Sequence, residues 1–237
     1  MIVALLTGRG GSKGIPNKNI MPVLGKPMMS YPLNAANKSK YIDKVFVSTD
    51  SPDIAKIGED YGAETIWRPD ELCADDSLHE EAIAHGYNYL VNQKKIQIDI
   101  IVVLLCNCVT ILSNSIDDGI EQLQKDLSID SCVTVSEYSE YNVARAMKIE
   151  NDRLKTFLPQ EELNFSTCDR KSMGPTYFCD SGAYICRPRC MDLSYGIKPF
   201  RWMGKEIKPI IQKDGLDVDN MRGLAIAEYW LKTYNKV

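Results

Sequence analysis

One stretch near the N-terminus limits what this chain can become: Thr7-Gly8-Arg9-Gly10-Gly11-Ser12-Lys13-Gly14-Ile15-Pro16-Asn17-Lys18-Asn19. It follows the apolar run Ile2 to Leu6, which reads as a buried strand. The glycines at 8, 10, 11 and 14 allow positive φ and let backbone N–H groups approach a ligand closely. Arg9, Lys13 and Lys18 add fixed positive charge, and Ser12, Asn17 and Asn19 add short polar groups. A strand feeding a cationic, glycine-rich loop is a common way for an α/β protein to hold phosphate. Spacing excludes two better-known loops. A Walker A loop ends in Gly-Lys-Ser/Thr, but Gly25-Lys26 and Gly204-Lys205 are followed by Pro27 and Glu206. The dinucleotide pattern G-x-G-x-x-G begins at Gly8 and Gly10 but has Lys13 where the third glycine belongs. A plain glycine-rich surface turn is the alternative; three cations directly after a first strand favour anion binding.

A chain of 237 residues, 44% hydrophobic and 25% charged, can bury the core of one α/β domain with an excursion. Its net charge of −4 argues against a nucleic-acid or membrane-surface protein, so the anion site is a local cationic pocket in an acidic molecule. Met1 to Leu6 has no basic n-region and too short an apolar run for a signal peptide. No stretch reaches the roughly 20 apolar residues of a membrane span. A cytoplasmic protein is therefore expected, and in that compartment the eight cysteines stay reduced. Cys168, Cys179, Cys186 and Cys190 could be imagined as a zinc site, but there is no C-x-x-C pair and both histidines are distant in sequence. The thiols read instead as small buried hydrophobes.

Strands and helices alternate along most of the chain. Strands are expected at Lys44 to Thr49, Glu64 to Ile66, Asp99 to Leu105 and Ser131 to Ser136, and again at Gly182 to Cys186. Helices are expected at Met28 to Lys38 (with Pro32 in a first-turn position or a kink), from Asp50-Ser51-Pro52 to Gly62, and from about Leu78 to Asn92. Two more are expected from about Ser115 to Lys125 and from about Asn220 to Tyr234. Asp99 to Leu105 is apolar on both faces and should be central in a parallel sheet. The fold class is α/β, a doubly wound, mostly parallel sheet, with ligands at the carboxyl ends of its strands. From 137 to 180 the alternation breaks down; Ala144 to Glu150 reads as a strand and Asn151 to Lys171 as polar and weakly periodic. Such a stretch is usually a functional or partner-bound excursion.

Taken together, the motifs resemble those of the N-acylneuraminate cytidylyltransferases. Arg9 to Asn19 resembles the family's A-R-x-x-S-K-G-x-P-x-K-N signature, and Val47-Ser48-Thr49-Asp50, Arg68-Pro69-Asp70-Glu71-Leu72 and Asp217-Val218-Asp219 follow in the family's order. The resemblance spans nearly the whole chain and implies a nucleotide-diphospho-sugar transferase-like sheet. It also implies attack of an acidic acceptor's oxygen on the α-phosphorus of CTP with release of pyrophosphate. By resemblance, Arg9 and Lys18 hold the triphosphate, with Gly10, Gly11, Ser12 and Asn19 around it, and Arg68 lies near the cytosine. Asp217 and Asp219, two residues apart on a strand, face one side and can hold Mg²⁺; their other reading is a polar strand end with Asp219 capping the last helix. The 137–180 segment corresponds to a dimerisation arm, which makes a homodimer the expected state, with Arg170 and Lys171 reaching substrate or phosphates. Otherwise these two are a solvated charge pair.

The departures lie on the acceptor side. Where the family has L-Q-P-T-S-P-L-R, this chain has Leu105-Cys106-Asn107-Cys108-Val109-Thr110-Ile111-Leu112, losing an arginine that could clamp a carboxylate. The family's N-G-A-I-Y-I becomes Asp180-Ser181-Gly182-Ala183-Tyr184-Ile185, which puts a carboxylate near the cavity. His79 stands near a position usually held by serine and is either a nucleotide contact or an exposed first-turn residue. The acceptor is then a sialic-type sugar acid or, alternatively, a small phosphonate or phosphorylated metabolite. A nucleotidyltransferase using another base on a sugar 1-phosphate is a rival enzyme, and a catalytically lapsed nucleotide-binding protein the non-enzyme alternative.

Overall fold

The computed structural model describes residues 1–12, 14–74 and 76–235, with only the backbone of 170 and 171. In chain order the elements are β1 (Ile2–Thr7), β2 (Pro22–Val23), β3 (Lys26–Pro27), α1 (Ser30–Asn37), β4 (Lys44–Thr49), α2 (Pro52–Asp60), β5 (Glu64–Trp67) and α3 (His79–Asn92). Then come β6 (Ile100–Leu105), α4 (Ser113–Lys125), β7 (Ser131–Glu137), β8 (Met147–Glu150), β9 (Arg153–Thr156), β10 (Tyr177–Cys186), β11 (Ile207–Gln212) and α5 (Met221–Trp230). Seven strands form one sheet in the order β11-β7-β10-β6-β1-β4-β5. All its pairs are parallel except those of β10, which runs antiparallel to β6 and β7. The doubly wound, mostly parallel sheet expected from the sequence is present, and β6 is its middle strand.

The two-residue period of β1 divides the core. Ala4 and Leu6 join α1, α2 and α4 in one apolar layer. Val3 and Leu5 turn the other way, onto α3 residues Ile83 and Leu90. A third cluster packs α5 residues Ala227 and Trp230 against Val109, Val218 and Ile15, which pins the middle of the glycine-rich loop to the body of the protein. Among the described residues, no helix is long and apolar enough to cross a membrane.

Local signals set most boundaries. Pro32 is the third residue of α1, where its missing N–H costs nothing. Ser51 caps α2, accepting from the Ile54 N–H at 3.4 Å, with Pro52 at the first helical position. α3 starts on Leu78, without a polar residue at the cap: Ser77 donates to the Glu71 carbonyl, and Glu81 reaches back to the Leu78 N–H. Two strands are absent from the sequence expectation. β11 contains Pro209, which a sheet tolerates at an edge, and β11 is the edge strand beside β7. β9 pairs with β8 as a separate hairpin inside the stretch expected to be irregular. β10 also begins five residues before the expected Gly182, with a bulge between Cys179 and Tyr184.

Candidate active site

β1 lies between β4 and β6, and the chain crosses from one side of it to the other, so a crevice opens past the carboxyl ends of β1 and β6. The registers Thr7↔Ser48 and Thr7↔Leu105 set three strand ends side by side there. A cleft of about 500 Å³ occupies this place, lined by Arg9, Ser12, Lys18, Asn19, Arg68 and His79, and on its far side by Asp217 and Asp219.

Two glycines make the approach of the loop possible. A Cβ on Gly8 would stand 2.7 Å from Cys106 Sγ, and one on Gly14 would stand 2.7 Å from the Asp219 carbonyl oxygen. Asn19 is buried and donates to the Arg9 carbonyl at 3.0 Å, bracing the loop from beneath. Arg9 donates to the Cys73 carbonyl at 2.9 Å. Arg68, buried on the β4 side, donates to the Ser48 carbonyl at 2.9 Å and to Ser48 Oγ at 3.4 Å. Burial pulls its guanidinium below the ordinary arginine range, partly offset by Cys73, Asp50 and Cys106.

On the β6 side, residues 216–219 are not a strand of the sheet. The segment is held to Asn107 by the Val218 N–H (3.0 Å) and to Thr110 by the Leu216 N–H (2.8 Å). Val218 is fully buried, so Asp217 and Asp219 both turn back toward the cleft. The Asn107 amide nitrogen lies 3.4 Å from an Asp217 oxygen and 3.3 Å from an Asp219 oxygen. Burial, and then the Asp219 carboxylate, push Asp217 above the usual carboxylate range. Lys18 Nζ sits 2.6 Å from Asp219, whose side chain is 66% exposed. An ion pair of such exposure is worth about 1 kcal/mol or less, so an incoming polyanion can take Lys18 over. Helix α5 is capped by Asn220, which accepts from the Gly223 N–H, and not by Asp219.

His79 is not an exposed first-turn residue. Its Nε2 lies 2.7 Å from Thr7 Oγ1, and its ring meets Trp202 edge-on at 5.6 Å. Burial, with Arg68 next in size, pulls it down to about 4, so the ring is neutral near pH 7. Gly10 and Gly11 do not line the cleft: the Gly10 N–H is bound by Asp50 at 2.7 Å, and Gly11 stands in open space. Lys13 lies outside the described residues, as do the side chains of Arg170 and Lys171. Asp180 belongs to a second, adjoining pocket that shares Asp217 with the cleft. Of the divergent Cys106 to Leu112, only Asn107 lines the cleft; Cys106, Cys108, Val109, Thr110 and Ile111 are buried. Burial pushes the Cys106 thiol up to about 12, which keeps it protonated. Thr7 and Asn107 are two polar cleft residues among those that motif reading missed. Their signal was position, at or two residues beyond the carboxyl end of a buried strand.

Residues 3–187 match the family model described as cytidylyltransferase. The chain belongs to the cytidylyltransferase family. This cytidylyltransferase is 27% identical over 222 residues to the N-acylneuraminate cytidylyltransferase of Oncorhynchus mykiss, covering 92% of this chain and 48% of that protein. It is 30% identical over 172 residues to a Helicobacter pylori protein named pseudaminic acid cytidylyltransferase and UDP-2,4-diacetamido-2,4,6-trideoxy-beta-L-altropyranose hydrolase, covering 72% and 32%. Over 85 residues it is 42% identical to the N-acylneuraminate cytidylyltransferase of Escherichia coli O18:K1:H7, covering 36% and 20%. The matches thus span at most about half the length of these relatives. In fold it is similar to CMP:2-keto-3-deoxy-manno-octonic acid synthetase complexed with CTP, with a TM-score of 0.70 at 15% identity, covering 100% of this chain and 99% of that one. The 4-diphosphocytidyl-2C-methyl-D-erythritol synthase of Anaerococcus prevotii gives 0.64 at 13% identity, covering 98% and 96%.

Proposed function

We propose that this cytidylyltransferase transfers the CMP unit of CTP to an acidic small-molecule acceptor of the sialic-acid type and releases pyrophosphate. The observation that carries the reading is one cleft that brings together cations and a pair of carboxylates. Arg9, Lys18 and Arg68 line it with Asp217 and Asp219, and Lys18 already touches Asp219. In the reaction an acceptor hydroxyl gives up its proton to solvent as its oxygen forms a bond to the α-phosphorus, while the α–β bridging P–O bond breaks and its electron pair leaves with pyrophosphate. Little covalent chemistry falls to the protein; catalysis rests on in-line positioning and on neutralising charge that builds up on the phosphates.

In this reading Arg9, Lys18, Ser12 and the loop N–H groups take the triphosphate. Lys18 gives up its weak pairing with Asp219 and contributes its charge to the departing pyrophosphate. Arg68 and the neutral His79 wall the β4 end of the cleft and receive the base. Asp217 and Asp219 supply two hard oxygen donors facing one space, which suits Mg²⁺, an ion that takes one or two carboxylates and completes its shell with phosphate oxygens and water. Burial raises Asp217 most and the Asp219 carboxylate raises it further, and a cation held between the two would oppose both effects. Mg²⁺ held there would supply charge neutralisation at the phosphates.

We also place the protein in the cytoplasm, a reading supported by eight free thiols, and propose that it acts as a homodimer through the β8–β9 hairpin. The function is tested by pyrophosphate release from CTP and Mg²⁺ with a panel of sialic-type sugar acids, phosphonates and phosphorylated metabolites. Release with a sugar acid is expected. No release with any acceptor, or a thermal-shift preference for ATP or GTP over CTP, overturns it.

A further inference from the structure

A pocket of about 290 Å³ adjoins the nucleotide cleft, lined by Tyr138, Tyr141, Phe178, Asp180 and the Asp217 that both cavities share. Its chemistry is unlike that of the cleft. Asp180 is 4% exposed, and its two oxygens accept from Ser136 Oγ (2.7 Å) and the Gly182 N–H (3.1 Å). Among the described residues, neither of the Asp180 oxygens has an ion-pair partner. A buried carboxylate normally has a cation beside it, because desolvated charge is costly unless paired.

Three aromatic rings, with Cys179, Gly215 and Leu216, form the rest of the wall. Tyr138 lies 6.4 Å from Tyr141 at 53° and 6.3 Å from Phe178 at 61°, so the rings meet as a corner and not as a flat platform. Tyr138 is fixed by donating its hydroxyl hydrogen to the Gly215 carbonyl at 2.8 Å. Burial, and then the carboxylates of Asp180, Asp214 and Glu140, push that hydroxyl up to about 12, so the field around it is negative. The Arg222 guanidinium is at the rim, donating to the Tyr141 hydroxyl at 3.4 Å.

We infer that this pocket receives a positively charged amino group on the acceptor, held against the rings of Tyr138, Tyr141 and Phe178 with Asp180 as its counter-charge. The inference rests on the proposed CMP transfer, since Asp217 joins the pocket to the reacting end of the cleft. Aromatic corners with a carboxylate behind them are how proteins bind ammonium groups. A neutral hydroxyl in the same place would fill a lone pair on Asp180 but leave its charge unbalanced. The dianionic end of a phosphonate or phosphate would meet Asp180 and Asp217 and be repelled. The acceptor is then an acid at the end that attacks CTP and an amine at the end that enters the pocket.

The probes are choline and its uncharged isostere 3,3-dimethylbutan-1-ol, titrated into the full chain with and without CTP and Mg²⁺ and followed by ligand-observed NMR. Choline is expected to bind roughly tenfold more tightly than the alcohol. Asp180→Asn should abolish that difference, and Tyr141→Leu, at the exposed rim, should weaken choline several-fold if the first variant fails to fold. Equal binding of the two probes, no choline binding, or an unchanged ratio in both variants overturns the inference. CTP binding, read in the same samples by thermal shift, separates the two readings. CTP binding without choline binding overturns the amino-group assignment alone, whereas choline binding without CTP binding overturns the nucleotide reading.

Discussion

Asp217 and Asp219 are identical side chains two residues apart, and their surroundings give them different work. Asp219 is largely exposed and pairs with Lys18, whereas Asp217 is more deeply set, beside Asn107, where both cavities meet. Asp217→Asn keeps the shape and the Asn107 contact but removes the charge. Turnover should fall by roughly 10²-fold or more, as expected when one electrostatic group is lost from a transfer site. CTP affinity by calorimetry in the absence of Mg²⁺ should change by no more than about threefold, because the loop cations are intact. Equal losses in both measurements would contradict the role. His79 gives a pH signature. Folding lowers it from the usual 6.5 to about 4, so between those values the unfolded chain binds a proton that the folded chain refuses. Its contribution to stability is complete above about pH 6.5, declines as pH falls, and is gone below about pH 4. Such a displacement is worth at most about 3 kcal/mol, and less here because the ring lines an open cleft. Nitrogen-15 NMR should find a neutral imidazole at about pH 5, and His79→Phe should flatten the fall of Tm across this window.

The loop, as an element, depends on two backbone approaches that sequence alone did not reveal. Gly8→Ala would drive a methyl into the fully buried Cys106, the residue just after β6, a strand held to β1 by a parallel ladder ending at Thr7↔Leu105. Overpacking of this kind costs about 1–3 kcal/mol, and a domain of this size loses roughly 2–4 °C of Tm per kcal/mol. Differential scanning calorimetry should show that loss for Gly8→Ala, and Cys106→Ala combined with it should restore part of it, a coupling that distant sites would not show. The elements that were legible are those whose pattern is local. β1, β4 and β6 are short apolar runs, Ser51-Pro52 announces α2, and Arg9 to Asn19 announces the loop. What was not legible depends on partners. β11 carries a proline that argues against a strand unless one knows it is at the edge, and β9 has a single apolar residue and forms only opposite β8. The site follows the same division. Arg9, Lys18, Arg68, Asp217 and Asp219 came from motifs and meet in one cleft, while Asn107 joined them because of where a strand ends. The Gly10 N–H is engaged by Asp50, a partner distant in sequence that the motif does not show.

Across the whole molecule, the charged cleft and the second pocket adjoin each other, while the β8–β9 hairpin forms its own small sheet, outside the main one. A lone two-stranded hairpin is at best marginally stable in water. This one presents Ile149 opposite Leu154, 74% and 68% exposed, with Met147 and Phe157 also exposed beside them. Glu150 is bound between Lys148 at 2.8 Å and Lys155 at 3.1 Å, so these three charges hold one another while the apolar side chains stay uncovered. Covering those side chains releases about 25 cal/mol per Å² of apolar surface, and a second copy of the chain, by supplying the same row, can cover them reciprocally about a two-fold axis. Light scattering at micromolar concentration should therefore give twice the 26.7 kDa mass of one chain. Ile149→Asp together with Leu154→Asp should reduce it to a single chain mass while leaving the thermal shift with CTP in place, since neither residue lines the cleft. A single-chain mass for the unaltered protein would remove the hairpin from the assembly. Two chain masses that persist in the double variant would move the interface to another surface.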